Sequence, residues 1–144
     1  MKEADSSPTK LTRFEYEGLE GPIEYIETTD VRVGVSCDVY RFPEDDSRDL
    51  AIVTVESGCK TPLQRVVEGD KTIEGFYDGE GELKVWTDLN AEPKSYRFNQ
   101  PDAGKSVVVN VGQYMQWEAD GYSDLMFYEI CEPPYEDGRF EDLA

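Results

Sequence analysis

The sequence contains no histidine and little positive charge. Lys plus Arg number 14 against 32 Asp plus Glu in 144 residues, a formal net charge of −18. The missing imidazole excludes a Ser-His-Asp triad, a Cys-His pair and every histidine-ligated metal site. The shortage of basic residues argues against nucleic acid as a partner, because neutralising phosphates requires clustered Lys and Arg. It argues against an anionic membrane surface for the same reason. Cysteine is scarce as well. Cys37, Cys59 and Cys131 are odd in number, far apart, and match no zinc-ligand spacing. They are expected to be small buried apolar residues, and a reducing, cytoplasmic setting is the simplest reading. No apolar run approaches the roughly 20 residues of a membrane span, and residues 1–10 lack the apolar region of a signal peptide. No long stretch carries a helical period, and no EF-hand loop or phosphate loop occurs. Gly79-Glu80-Gly81 has no third glycine at the dinucleotide spacing and reads as a turn.

What the chain does have is aromatic and β-branched residues. Aromatics make up 12% of it, with 9 Tyr and 2 Trp. That is enough to build a core, so the acidity belongs to the solvated surface of a folded domain and not to a disordered chain. The length suits one domain, which at this size buries roughly 68–70% of its unfolded surface. We expect a flexible tail over residues 1–10 and a single domain over 11–144.

Period-two alternation dominates the domain. Val31, Val33, Val35, Cys37 and Val39 alternate with more polar neighbours, which predicts one half-buried strand over 31–40. Residues 41–49 read as an acidic turn region, and residues 50–56 as a β-branched strand. Residues 72–77 and 82–87 flank Asp78-Gly79-Glu80-Gly81, a hairpin signal. Further strands are expected over 94–99, 106–111, 114–118 and 124–131, with weaker ones over 14–17 and 23–27. Turn signals recur about every 8–12 residues, the spacing of an all-β sandwich or barrel.

The order of features from Leu50 to Tyr135 resembles a small single-domain cupin, whose fold is a double-stranded β-helix (jelly-roll) barrel. The first cupin motif is matched by Gly58, Gln64-Arg65-Val66 and the glycine-rich hairpin from Tyr77 to Leu83. The second is matched by Gly104 and by Asn110-Val111-Gly112 leading to Met115. The ending Glu129-Ile130-Cys131-Glu132-Pro133-Pro134-Tyr135 resembles that of many small cupins. The resemblance covers about two thirds of the chain and implies an all-β cupin barrel. It also implies a homodimer as the assembly to test. It places the cupin metal ligands on Gln64, Val66, Thr72 and Met115, the third with one extra residue before it. None of these is a good ligand for a divalent first-row metal. No metal and no cofactor are therefore expected, and the metal-dependent dioxygenase activities of cupins are not carried over.

Alternation then places side chains, if Gln64 and Val66 take the inward positions. Thr72, Glu74 and Phe76 face in, while Ile73 and Gly75 face out, and Met115 brings Trp117 with it. This inward set is mostly apolar with a few polar groups, the composition of a small-molecule pocket. Gln64, Val66, Thr72, Phe76, Met115 and Trp117 are the candidate ligand-binding residues. Glu74 is the candidate catalytic group, because a carboxyl facing an apolar interior titrates nearer neutrality. The alternative for Glu74 is pairing with Arg65, Arg97 or a backbone donor, or simple exposure at the barrel mouth. Three functions follow. The chain binds a small molecule inside the barrel; or it is a cofactorless isomerase, epimerase, cyclase or lyase working by acid/base catalysis; or it is a scaffold domain whose barrel is filled by Phe76, Met115 and Trp117.

Overall fold

The computed structural model describes residues 10–143. Among them there are strands and turns but no helix. The strands are β1 (Arg13–Phe14), β2 (Gly21–Pro22), β3 (Glu24–Arg32), β4 (Val35–Phe42), β5 (Asp45–Val55), β6 (Gln64–Val66) and β7 (Lys71–Gly79). They continue with β8 (Gly81–Trp86), β9 (Lys94–Phe98), β10 (Ser106–Val108), β11 (Tyr114–Ala119), β12 (Leu125–Glu132) and β13 (Phe140–Asp142). A six-stranded sheet runs in the order β10-β7-β12-β5-β4-β3, and a five-stranded sheet in the order β13-β6-β11-β8-β9. β1 and β2 form a small separate ribbon.

Alternation builds the interior between the two sheets. Leu83 and Val85 of β8 and Met115 and Trp117 of β11 face in, with polar neighbours between them. They meet Val35, Val55, Phe76, Leu125 and Phe127 of the opposing sheet in one core cluster. Each such buried side chain contributes roughly 1.5–3 kcal/mol relative to exposure.

A second core lies on the far side of the six-stranded sheet and alters one sequence expectation. Ile73 and Gly75 do turn away from the interior, but they do not meet water. Ile73, Leu50, Ile52, Tyr128 and Ile130 are covered by Phe14 and Ile23 from the N-terminal segment. The Tyr128 ring lies where a side chain on Gly75 would stand, so the missing Cβ makes room for it. Its phenol is within hydrogen-bond distance of Glu17 Oε2 (2.7 Å) and Gly104 O (2.8 Å). The central strands of the sheet are buried on both faces because they bind a strap from their own chain.

Local boundaries also differ. The single strand expected over 31–40 is a hairpin, β3 turning at Val33-Gly34 into β4. Gly34 has φ +84°, a left-handed conformation that glycine adopts freely, and Val33 at the tip is 96% exposed. The acidic turn expected over 41–49 shrinks to Pro43-Glu44, and β5 begins at Asp45, pairing back on β4. The strand expected over 106–111 ends at Val108. The tail expected over residues 1–10 lies outside the described residues except for Lys10, whose Nζ pairs with Asp38 at 3.2 Å.

Candidate functional site

The space between the sheets is closed at one end and open at the other. At the closed end Phe76 stacks on Phe98, with ring centroids 5.4 Å apart, and Trp117 stacks on Phe127 at 4.5 Å. Phe98 and Trp117 join the two pairs at 5.7 Å. At the other end lies a cavity of about 650 Å³, within the usual range for a small-molecule site. Its floor comes from alternate residues of three adjacent strands: Val35, Cys37 and Val39 of β4, Ala51 and Val53 of β5, and Phe127, Glu129 and Cys131 of β12. Its rim carries Glu27 of β3, Thr61, Pro62, Gln64, Tyr135, Phe140 and Asp142.

The charge of this lining is one-sided. Glu27, Asp49, Glu129 and Asp142 line the cavity, and no lysine or arginine does. Two of these carboxylates have donors of their own. Asp49 Oδ2 accepts from Tyr135 N at 2.9 Å, and Asp142 Oδ1 accepts from Gln64 Nε2 at 2.9 Å. The cysteines are poor nucleophiles here. Burial pushes the Cys37 thiol up to about 12 and raises Cys131 further, with the Glu129 charge adding to both.

Behind Glu129 stands Glu74. The β7–β12 register sets the two directly opposite each other, with Cβ atoms of such pairs typically about 4.5–5.5 Å apart. Glu74 is fully buried, and its Oε1 accepts from Trp117 Nε1 at 2.8 Å. No donor reaches its Oε2. With both carboxyls ionised that oxygen would stand orphaned in the core beside a like charge, so a proton shared between Glu74 and Glu129 is what satisfies it. Burial first, and the Glu129 charge second, hold the Glu74 carboxyl well above the ordinary glutamate value. Burial raises Glu129 too, but the hydrogen bond from Glu74 pulls it back. Both carboxyls are thus shifted toward the protonated form, Glu74 more strongly, and the two titrate together as a pair.

The sequence-named candidates divide between the two ends. Glu74 contacts neither Arg65 nor Arg97; Arg65 pairs with Glu141 at 3.7 Å, and Arg97 with Asp120. Phe76 and Trp117 are buried in the stacked closed end, Val66 and Met115 are buried elsewhere in the core between the sheets, and none of the four lines the cavity. Gln64 does line it. Thr72 is buried against the guanidinium of Arg139, whose Nη2 donates to Thr72 Oγ1 at 2.9 Å and to Lys71 O at 2.7 Å. Arg139 Nη1 also donates to Pro133 O at 2.9 Å, so this arginine ties the C-terminal segment to β7. Sequence reasoning missed Glu129. Alternation with Phe127 and Cys131 puts it on the inner face, but only the strand register reveals that it faces Glu74.

Solved structures share this architecture. A crystal structure of CapF with inhibitor 3-isopropenyl-tropolone matches with a TM-score of 0.65 at 15% identity, over 85% of this chain and 34% of that one. The Lactobacillus farciminis oxalate decarboxylase formate complex matches with 0.63 at 17% identity, over 84% and 33%. The fold is a cupin β-barrel. A Streptomyces PAC13 structure with uridine matches with 0.57 at 14% identity, over 82% of this chain and 84% of that one. The chain spans about a third of the CapF and oxalate decarboxylase chains. No family model matches the sequence, and no curated protein matches it.

Some cupin-fold neighbours hold metal, as in the Mn(II) centers of Bacillus subtilis oxalate decarboxylase. The four residues that the motif resemblance places at the cupin ligand positions do not fit one. Val66 offers no donor atom, and Met115 offers only a thioether in the core. Thr72 Oγ1 already accepts from a guanidinium, whose positive charge opposes a cation beside it. Gln64 offers a single neutral amide oxygen, its Nε2 being bonded to Asp142. Among the described residues no group of three or more Cys, Asp or Glu is disposed to hold a metal ion. No helix among them is long and apolar enough to cross a membrane.

Proposed function

We propose that this protein binds a small organic molecule in the cavity at the open end of the barrel. The ligand has an apolar body and a cationic or hydrogen-bond-donating head. The supporting observation is the lining itself: apolar strands with Phe127 below, aromatic Tyr135 and Phe140 at the rim, and four carboxylates with no basic residue. Such a wall attracts an ammonium or hydroxyl donor and repels a carboxylate. The net charge of −18 reinforces that preference at long range. A small dianion such as oxalate, the substrate named for some of the similar structures, suits this cavity poorly. The binding of uridine in the Streptomyces PAC13 structure gives a precedent for a ligand on a barrel of this size.

The reading is tested by calorimetric titration with phenethylammonium, benzyl alcohol and phenylpropanoate. Phenethylammonium should bind most tightly, more weakly as salt is raised, and phenylpropanoate should not bind. Equal affinity for all three would overturn the charge argument. Absence of binding by all three would favour the scaffold reading.

A further inference from the structure

The cavity holds one carboxylate whose surroundings differ from the rest. Glu27 sits on the exposed edge strand β3, Asp49 is held by a backbone amide, and Asp142 by Gln64. Glu129 lies at the floor, beside Phe127 on the same strand face, and its Oε1 takes a long 4.0 Å contact from the Cys131 thiol. Directly opposite is Glu74, fully buried, fixed at Oε1 by Trp117 and with no donor at Oε2. Oε2 is satisfied by a proton shared with the neighbouring carboxyl, and the deeper burial of Glu74 favours carrying that proton on Glu74.

We propose that Glu129 acts as a general base on a small molecule in the cavity, with the buried Glu74 behind it as its positioning residue. The proposal rests on the binding function above. It adds that the ligand's donor group carries the proton that Glu129 removes. The charge is partly desolvated by the cavity floor, which makes a carboxylate a stronger base than in water. The groups facing the pair are Thr72 on β7, Asp49 on β5, Cys37 on β4, Cys131 on β12, Trp117 on β11 and Arg139 from the C-terminal segment. Asp49 repels the charge on Glu129 and Arg139 attracts it.

The natural ligand is not needed for the test. Nitrobenzisoxazole is a neutral aromatic whose ring C–H is removed by a carboxylate base. As that proton passes to the base, a carbon–nitrogen triple bond forms and the nitrogen–oxygen bond breaks. The electron pair leaves on the phenolate, which is coloured, and the protonated carboxyl returns its proton to solvent. The wild-type protein should accelerate this elimination by about 100-fold or more over the same concentration of acetate. Glu129→Gln should lose that acceleration. Should that variant fail to fold, Glu129→Asp withdraws the base by one methylene and should lose at least about tenfold. Glu74→Gln should stay active, since its amide can donate to Glu129, but its pH profile should change form. The wild-type rate carries two inflections, one for each proton of the pair. Glu74→Gln should show one. A wild-type rate equal to acetate, an unaffected Glu129→Gln, or two inflections in Glu74→Gln would overturn the proposal. Phenethylammonium affinity is read separately. Normal binding without base catalysis overturns this inference alone, and failed binding in an active base overturns the cationic-ligand reading alone.

Discussion

The two ends of the barrel are made by the same strands, and they differ in what each strand places on its inner face. β5 carries Val55, Val53, Ala51 and Asp49 at successive inward positions, passing from closed end to open end. β12 carries Leu125, Phe127, Glu129 and Cys131 over the same distance, and β7 carries Phe76, Glu74 and Thr72. Large apolar side chains give way to small or polar ones on all three strands at the same level. Where Phe76, Phe98, Trp117 and Phe127 stack, the sheets are filled solid. Two residues further on, Ala51 stands opposite Glu129 and the interior opens. The cavity therefore follows the period-two pattern of β5 and β12, with β4 completing its floor. The Glu74–Glu129 pair lies on the boundary, where a carboxylate has packing on one side and open space on the other.

Breaking the closed end should cost most. Trp117→Ala removes the ring that joins both stacked pairs and the donor that fixes Glu74 Oε1. We expect a loss of roughly 3–5 kcal/mol in urea unfolding. A loss below about 1 kcal/mol would mean that the stack collapses freely and is not the rigid half of the barrel. Next comes Arg139, which bridges the C-terminal segment to β7 with donors to Pro133 O, Lys71 O and Thr72 Oγ1. Arg139→Ala leaves those acceptors unpaired and should cost roughly 2–3 kcal/mol in the same assay. Its guanidinium also lowers the Glu74 carboxyl, so the variant should hold the Glu74 proton to higher pH.

The closed end was the legible half. Val66, Glu74, Phe76, Met115 and Trp117 are buried as alternation requires, but the hairpin expected around residues 78–81 does not form: β7 pairs with β10 and β12 and β8 with β9 and β11, so the glycine turn there carries the chain from one sheet to the other. Alternation is a local signal, so it survives without knowledge of partners. The open end was less legible because it depends on register. Nothing local to Glu129 says that it faces Glu74, and nothing local to Ala51 says that the strand opposite leaves space. The hairpin at Val33-Gly34 was hidden for a related reason. Val31, Val33, Val35, Cys37 and Val39 keep their apolar alternation straight through the turn, and only the left-handed Gly34 marks the break. Arg139 carried no signal at all, since a lone arginine in an acidic tail reads as surface until the segment docks.

The boundary pair gives a prediction in pH. Burial raises the Glu74 carboxyl above its ordinary 4.5, so the native state keeps a proton that the unfolded chain releases. Wild-type stability from this group is full below the unfolded value and is lost as pH rises toward the folded one. The slope for one proton is about 1.4 kcal/mol per pH unit. Glu74→Gln cannot lose that proton. Its stability relative to wild type should therefore improve as pH is raised above 4.5, measured as urea midpoints across pH. Parallel curves for the two proteins would show Glu74 to be ionised in the native state.

The smallest change in stability should come from filling the open end. Ala51 lines the cavity directly across β5–β12 from Glu129. Ala51→Leu puts a branched side chain into open space, where it displaces no packed neighbour. Overpacking a full core costs typically about 1–3 kcal/mol. Here the added apolar contact offsets any strain, and unfolding should shift by less than about 1 kcal/mol in either direction. Binding should respond in the opposite measure, with phenethylammonium affinity falling at least about tenfold as the site loses volume. The pairing of those two results distinguishes a site from a packing defect. A defect would be stabilised by filling and would leave ligand affinity alone. A binding cavity gains little from the leucine and loses its ligand, because the space opposite Glu129 is what the ligand occupies.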